Sequence, residues 1–272
     1  MAKRAAAKNL DLKYQPGFRA VAWACVVMLY APIAVLTVFS FNLHRSVTNW
    51  GGFTVNWYIR ALHNEGIQGA AIISLKIAFS ATIAATVIAT AAALATTRTR
   101  PWRGQGAAYL VVNSPLLVPE IVTAIATLSF FALLASTTGI RFGLGNLIIT
   151  HTVFCIPFAY MPIRARLEDM DLTLEQAAAD LYATPWRAFR RVTLPLLAPG
   201  ITSGAALAFI VSFDDFTISQ LVAGPGQTTL PIYIWGAIRR GITPEINAVS
   251  TILLAISVLF VSFSFLFGKR RR

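Results

Sequence analysis

Several apolar runs in this chain approach the ~20 residues that a helix needs to cross a hydrocarbon core. The run at 21–41, VAWACVVMLYAPIAVLTVFSF, contains no charged residue. Within lipid the backbone must bond to itself, which leaves only helices and closed barrels. These runs are continuously apolar and do not alternate, so a barrel is excluded and helices remain. The composition agrees: of 272 residues, 56% are hydrophobic and only 12% are charged, too apolar for an ordinary soluble domain of this length. The expected fold class is an all-α polytopic membrane protein.

Six transmembrane helices are expected, at about 18–41, 69–97, 106–135, 144–164, 198–222 and 248–268. An even number puts both termini on one side. Lys3, Arg4, Lys8, Lys13 and Arg19 precede the first run, which exceeds the ~7–15-residue core of a signal peptide and reads as a retained span. Arg98, Arg100 and Arg103 follow the second. Arg164, Arg166, Arg187, Arg190 and Arg191 flank the loop between the fourth and fifth, and Lys269, Arg270, Arg271 and Arg272 end the chain. One face thereby collects 17 of the 23 basic residues. The positive-inside rule assigns that face, with both termini, to the cytoplasm. The parts are a tail at 1–17, a transmembrane domain at 18–268 and a basic tail at 269–272. No internal repeat is visible.

The formal charge of +12 follows from this topology, so no nucleic-acid partner is expected; the surroundings are a lipid bilayer. Cys25 and Cys155 both fall inside expected spans, where two lone thiols read as small buried residues and make no metal framework. Two outward segments carry aromatics suited to a membrane interface: 42–68, with Trp50, Trp57 and Tyr58, and 223–247, with Tyr233 and Trp235. In the second, Gly224, Pro225 and Gly226 form a turn. Pro231 then starts a short helix that Gly241 and Pro244 end.

Set among these apolar runs is a polar island, 167–195, reading LEDMDLTLEQAAADLYATPWRAFRRVTLP. It holds five of the eleven acidic residues. Thr173 is placed to cap a helix, with Gln176 as its capping-box partner. Pro185 suits the first turn of a second helix capped by Thr184. Trp186, Phe189 and Val192 share one face of it. The two short helices meet near Tyr182–Thr184.

The stretch EQAAADLYATPWRAFRRVTLPLLAPGI resembles the cytoplasmic "EAA" loop of permease subunits in binding-protein-dependent ABC importers. Ala177, Ala178, Asp180, Leu181, Ala183, Phe189, Leu194 and Pro195 fit the pattern. Gln176 stands where the namesake glutamate is usual, with Glu175 just before it. Tyr182 stands where glycine is usual, which suggests a turn that accepts a side chain. NSPLLVPEIVTAI (113–125), HTVFCIPFAY (151–160), SFDDFTISQLVAGPGQTTLPIYIW (212–235) and GITPEINAVSTILL (241–254) look like the spermidine/putrescine group of these permeases, and its second subunit type in particular. The resemblance implies a type I ABC importer permease fold whose coupling helix enters a groove on an ATPase subunit. The ATPase-coupling residues would be Glu175, Gln176, Ala177, Ala178, Asp180, Leu181, Tyr182 and Ala183. It also implies a second permease subunit in a heterodimer, two ATPase subunits that use ATP and magnesium, and an extracytoplasmic solute-binding protein. The setting would be the bacterial inner membrane, and the cargo a polyamine or another small cationic metabolite.

Ionisable residues inside spans are costly and mark functional candidates. Asp214 and Asp215, flanked by Phe213 and Phe216, fall in the outer half of the fifth span. Carboxylates beside aromatic rings suit a cargo with ammonium groups. Being adjacent, the two aspartates point to different faces and cannot line one path equally; both are candidates to line or gate it, and one is alternatively placed to cap a broken helix or to pair with Lys76. Glu120 follows Pro115 and Pro119. It either lines the path or answers backbone donors freed by an opened helix. His151 reads as a packed, hydrogen-bonded histidine first and a pathway group second. Lys76 has a stem long enough to snorkel outward. No phosphate-binding loop, metalloprotease motif or nucleophile elbow is present, so no catalytic residue and no cofactor is expected in this chain. A stand-alone secondary carrier is the rival reading. It is opposed by the absence of two matching halves and by the coupling motif.

Overall fold

The computed structural model describes residues 16–45, 49–241 and 243–269, where the regular elements are helices with one isolated antiparallel bridge, Asn42 to Phe53. Lys3, Arg4, Lys8, Lys13 and Arg270–Arg272, which carry much of the expected topology signal, lie outside the described residues. In order, α1 is Pro16–Phe39, α2 Asn56–His63, α3 Glu65–Thr97, α4 Gln105–Leu117, α5 Glu120–Thr138 and α6 Leu144–Glu168. Then come α7 at Thr173–Asp180, α8 at Pro185–Ala188, a π-helical stretch at Phe189–Thr193, α9 at Leu194–Asp214 and α10 at Thr217–Val222. The last two are α11 at Leu230–Arg240 and α12 at Pro244–Lys269.

Five helical stretches are long and apolar enough to cross a membrane: Gly17–Phe39, Glu65–Thr97, Glu120–Thr138, Leu144–Glu168 and Pro185–Asp214. A shorter apolar helix, Pro244–Phe260, falls at the sixth expected position. Two spans depart from their expected form. The third, expected at 106–135, is interrupted at Val118–Pro119, because Pro119 has no N–H to continue the ladder and holds Val118 extended. The fifth, expected at 198–222, stops at Asp214, turns at Asp215 and restarts as α10.

The chain divides into two compact units. The larger one, Leu62–Arg240 with Leu253–Arg272, is built on the mutual packing of α3, α6 and α9, with α10 laid against α5. Alanines make the close approach possible. Ala78, Ala81, Ala85, Ala89 and Ala93 are fully buried along one stripe of α3, facing a core that includes Phe154, Tyr160, Ile163, Leu197 and Ile218. On α9 the same purpose is served by Gly200 and Gly204, a small-xxx-small pair. A Cβ at Gly204 would stand 2.6 Å from the Ala159 carbonyl oxygen on α6, and one at Gly200 would stand 2.7 Å from Arg166 Cβ.

The smaller unit, Met1–Ala61 with Gly241–Ile252, is tied together just after α1. Trp57 Nε1 donates to the Asn42 carbonyl at 2.7 Å, Tyr58 and Ser40 share a hydroxyl contact of 2.6 Å, and Phe41 stacks on Phe53 at 5.2 Å. Trp57 is thus buried packing rather than an interface aromatic, whereas Trp50 is exposed. The two cysteines also part company: Cys155 is buried with its thiol toward the Ala208 carbonyl, and Cys25 is exposed on α1. The short helix expected after Pro231 is α11; Gly226 (φ 77°) turns the chain before it, Gly241 (φ 119°) ends it, and Leu230 N–H is fastened to Ser74 Oγ of α3 at 2.8 Å.

Candidate functional site

The island forms α7, a turn, and a second helix that runs through the π stretch into α9. Thr184 caps that second helix by accepting from Arg187 N–H at 3.4 Å, with Pro185 in the first turn and Trp186 stacked on Phe189 at 5.5 Å, as the sequence indicates. The start of α7 differs. Thr173 is its first helical residue, and the capping acceptor is Asp171, whose carboxylate takes Thr173 N–H at 2.9 Å. That hydrogen bond holds the Asp171 carboxyl below its ordinary value. An aspartate two residues earlier reaches the free donors because Leu172 already has helical dihedrals.

The turn at Tyr182 retains the geometry that glycine usually supplies. Tyr182 has φ 58°, the left-handed region, and is the one non-glycine residue there among those described. Ala183 N–H reaches the Ala178 carbonyl (3.0 Å) and Tyr182 N–H the Ala179 carbonyl (2.9 Å), the paired bonds of a Schellman ending. The turn is therefore not relaxed to suit the side chain; the tyrosine adopts the strained conformation, with its ring 94% exposed.

Within α7 no residue is buried, but its two faces differ. Gln176, Ala177, Asp180, Leu181 and Tyr182 are exposed, whereas Glu175, Ala178 and Ala183 are partly covered. Glu175, grouped by sequence with the outward contact residues, turns inward. Its Oε1 accepts from Arg98 Nε at 3.3 Å and from Thr193 Oγ1 at 3.0 Å. Arg98, just past the end of α3, also donates to the Leu167 carbonyl at 2.7 Å and the Met170 carbonyl at 3.3 Å.

The second constellation lies at the interruption of the fifth span. Asp215 is buried and works as a cap: Oδ1 accepts from Ile218 N–H at 3.3 Å and Oδ2 from Ser219 N–H at 2.9 Å. His151 on α6 is buried beside it, Nδ1 at 2.9 Å from Ser212 Oγ and Nε2 at 3.1 Å from Ser219 Oγ and 3.6 Å from Asp215 Oδ2. His151 is satisfied by the two serines and Asp215 by the backbone of α10, with Ser219 serving both, and Lys76, whose side chain is exposed, is not the partner of Asp215. Ser212 and Ser219 complete this network, and sequence reasoning missed them because serine inside an apolar run carries no charge signal.

Asp214 points the other way and is exposed at the end of α9. Phe213 is buried, stacked on Phe209 at 5.6 Å, and Phe216 lies 5.3 Å from Trp235. Glu120 is exposed in the first turn of α5, while Val122 and Thr123 N–H bond the Pro119 carbonyl, so its carboxylate is not used on those donors. Each of these exposed carboxylates stands beside a helix interruption. A further cavity of about 470 Å³, lined by Thr96, Gln105, Gly106, Tyr109 and Arg164, has its arginine already engaged by Glu168 at 2.7 Å and by the Tyr109 ring at 4.6 Å.

Helices long enough to span, a core of closely packed α3, α6 and α9, and an exposed helical island between spans define a polytopic helical membrane protein. The same fold occurs in solved importers. A bacterial ABC transporter that imports the acidic polysaccharide alginate matches with a TM-score of 0.76 at 15% identity, covering 99% of each chain. The MetNI methionine ABC transporter matches with a TM-score of 0.63 at 19% identity, over 77% of this chain and 99% of that one. The chain belongs to the family of inner membrane components of binding-protein-dependent transport systems, whose model matches residues 85–270. It is 38% identical to the putrescine transport system permease protein PotI of Escherichia coli (strain K12) over 240 residues, 85% of each chain. It is also 38% identical to the spermidine/putrescine transport system permease protein PotC of the same strain, over 90% of this chain and 91% of that one. A putative 2-aminoethylphosphonate permease, PhnV of Salmonella typhimurium (strain LT2), is 28% identical over 87% of this chain and 88% of its own length.

Proposed function

We propose that this chain forms half of the translocation pathway of an ATP-driven importer for a polyamine such as putrescine or spermidine. The observation that carries this is the extent of the likeness: two polyamine permeases share 38% of residues with it across 85% or more of the chain. The site chemistry supports it. A polyamine carries ammonium groups on an apolar stem, and Asp214 and Glu120 offer exposed carboxylates at helix interruptions, where a charged side chain meets cargo without being sealed in lipid. Asp215 is instead a structural cap, so the pathway role falls to Asp214. Phe216 and Trp235 lie on the same stretch of chain for the stem and for cation–π contact.

In this reading the basic loops and both termini face the cytoplasm, and the outward face of α7, with Gln176, Ala177, Asp180, Leu181 and Tyr182, enters a groove on an ATPase subunit. ATP and magnesium act there, on the ATPase dimer, not on this chain. A second permease completes the pathway, and an extracytoplasmic binding protein delivers the cargo. The likeness to PhnV favours a second cargo class, a small ammonium-bearing phosphonate, which the same carboxylates would also admit.

The test is uptake by the importer reconstituted with its ATPase, second permease and binding protein. Radiolabelled putrescine and spermidine should enter only with ATP. Asp214→Asn combined with Glu120→Gln should lower that uptake severalfold. Unchanged uptake in that variant removes the carboxylates from the pathway, and binding of aminoethylphosphonate but neither polyamine by the binding protein replaces the cargo.

A further inference from the structure

The island is joined to the rest of the molecule by a small polar centre. Arg98 stands at the end of α3 with its guanidinium largely buried, 13% exposed. It closes the last turn of α6 and the chain after it by donating to the Leu167 and Met170 carbonyls, at 2.7 and 3.3 Å. Its Nε reaches Glu175 on α7, and the same Glu175 oxygen takes the Thr193 hydroxyl at 3.0 Å. Thr193 is buried in the π stretch that feeds directly into α9. Three spanning helices and α7 thus meet at two side chains.

Among the described residues, no other side-chain hydrogen bond or ion pair ties α7 to a spanning helix. α7 buries no residue of its own, and its outward face is exposed. Without Glu175, a force applied to that face would swing a short helix on its flanking turns. With it, displacement of α7 pulls on Arg98, and so on α3 and α6, and on Thr193, and so on α9. The π stretch is a fitting place for that pull, because its extra residue per turn gives the helix a local place to bend.

We infer that Arg98, Glu175 and Thr193 are positioning residues that convert movement of α7 into movement of the spans, and that Glu175 is not a contact for the ATPase. This rests on the reading that α7 docks on an ATPase. Charge pairing of this kind at the end of an arginine fork is geometrically specific, since one guanidinium serves two carbonyls and a carboxylate at once.

The experiment uses the reconstituted importer and measures three quantities: ATPase retained on purification, ATP hydrolysed, and putrescine or spermidine taken up. Glu175→Ala should retain the ATPase at the wild-type level while uptake per ATP hydrolysed falls roughly fivefold or more. Thr193→Val keeps the side-chain shape without the hydroxyl and should lower the same ratio less. Arg98→Lys keeps the charge but loses the fork, and should fall between the two. An unchanged ratio in both Glu175→Ala and Thr193→Val overturns the inference while leaving ATPase docking intact. Loss of the ATPase from Glu175→Ala also overturns it, because Glu175 would then be a docking contact. Failure of the wild-type chain itself to retain an ATPase overturns both readings together.

Discussion

At Tyr182 and at Asp215 the helical chain stops and restarts, and it does so by opposite means. The Asp215 break is closed on itself: His151, Ser212 and Ser219 surround a carboxylate that caps α10, all of them buried. Around Tyr182 the side chains are left open to the outside, with Leu181, Tyr182 and Trp186 exposed at 82%, 94% and 69%. A break inside a membrane must satisfy its own backbone, because no water is at hand. A break in a water-facing loop has no such constraint and is free to present its side chains to a partner. The two regions should therefore respond differently to substitution, and the difference is measurable.

The largest effect is expected in the buried region, on the seam that holds it. Gly204→Val places methyl groups where even a Cβ would lie 2.6 Å from the Ala159 carbonyl oxygen. Neither backbone can yield without separating α6 from α9, and the cost should be about 3 kcal/mol. Denaturant or thermal unfolding in detergent reads it. A Gly204→Val chain as stable as wild type would show that the seam is loose and that the His151 network is not held by packing.

Asp215→Ala comes next. It strips the acceptor from two buried N–H groups and from the neighbourhood of His151 at once, at a cost of about 2 kcal/mol. Asp215→Asn keeps one acceptor and should lose less. If Asp215→Ala left stability intact but abolished uptake, the residue would belong to the pathway and the contrast with Asp214 would collapse.

Tyr182→Gly should act with the opposite sign. A left-handed conformation costs a side-chain-bearing residue about 1 kcal/mol that glycine does not incur. Hydrogen exchange at Ala183, whose N–H closes the Schellman ending on the Ala178 carbonyl, should therefore slow about fivefold, the equivalent of that energy. Exchange unchanged or faster would mean that the tyrosine ring contributes to the turn despite its exposure.

These expectations also show what could be read from residues and what could not. The spans, the island, the α11 helix and the Thr184–Pro185 start all follow from local patterns: apolar length, proline placement and a capping hydroxyl. The break at Val118–Pro119 was visible as a proline. The break at Asp215 was legible only as one of two alternatives for an aspartate inside a span, because the apolar stretch after it continues to look like a span; which aspartate caps, and that His151 from 64 residues earlier packs beside it, was not. Glu175 shows the same limit. Its position in the motif placed it with the outward residues, but its partners Arg98 and Thr193 lie 77 and 18 residues away, and no helical period predicts that meeting. The Gly200–Gly204 pair went unread, because glycines inside an apolar run carry no signal until the 2.6 Å approach to the Ala159 carbonyl oxygen marks them as a packing seam.

The smallest effect on stability is expected where the functional effect is greatest. Leu181→Arg changes a side chain that is 82% exposed and touches no core, so unfolding should move by no more than about 0.5 kcal/mol. If the outward face of α7 enters an ATPase groove, however, the same substitution buries an unpaired guanidinium at the contact, and retention of the ATPase should fall about tenfold. The contrast with Glu175→Ala is the informative one. Leu181→Arg should lose the ATPase and leave the fold, whereas Glu175→Ala should keep the ATPase and lose its effect on transport. Two residues six apart on one turn-and-a-half of chain would then separate docking from transmission. Should both variants lose the ATPase alike, α7 would be a contact surface on both faces, and the distinction between an inward joint and an outward face would be gone.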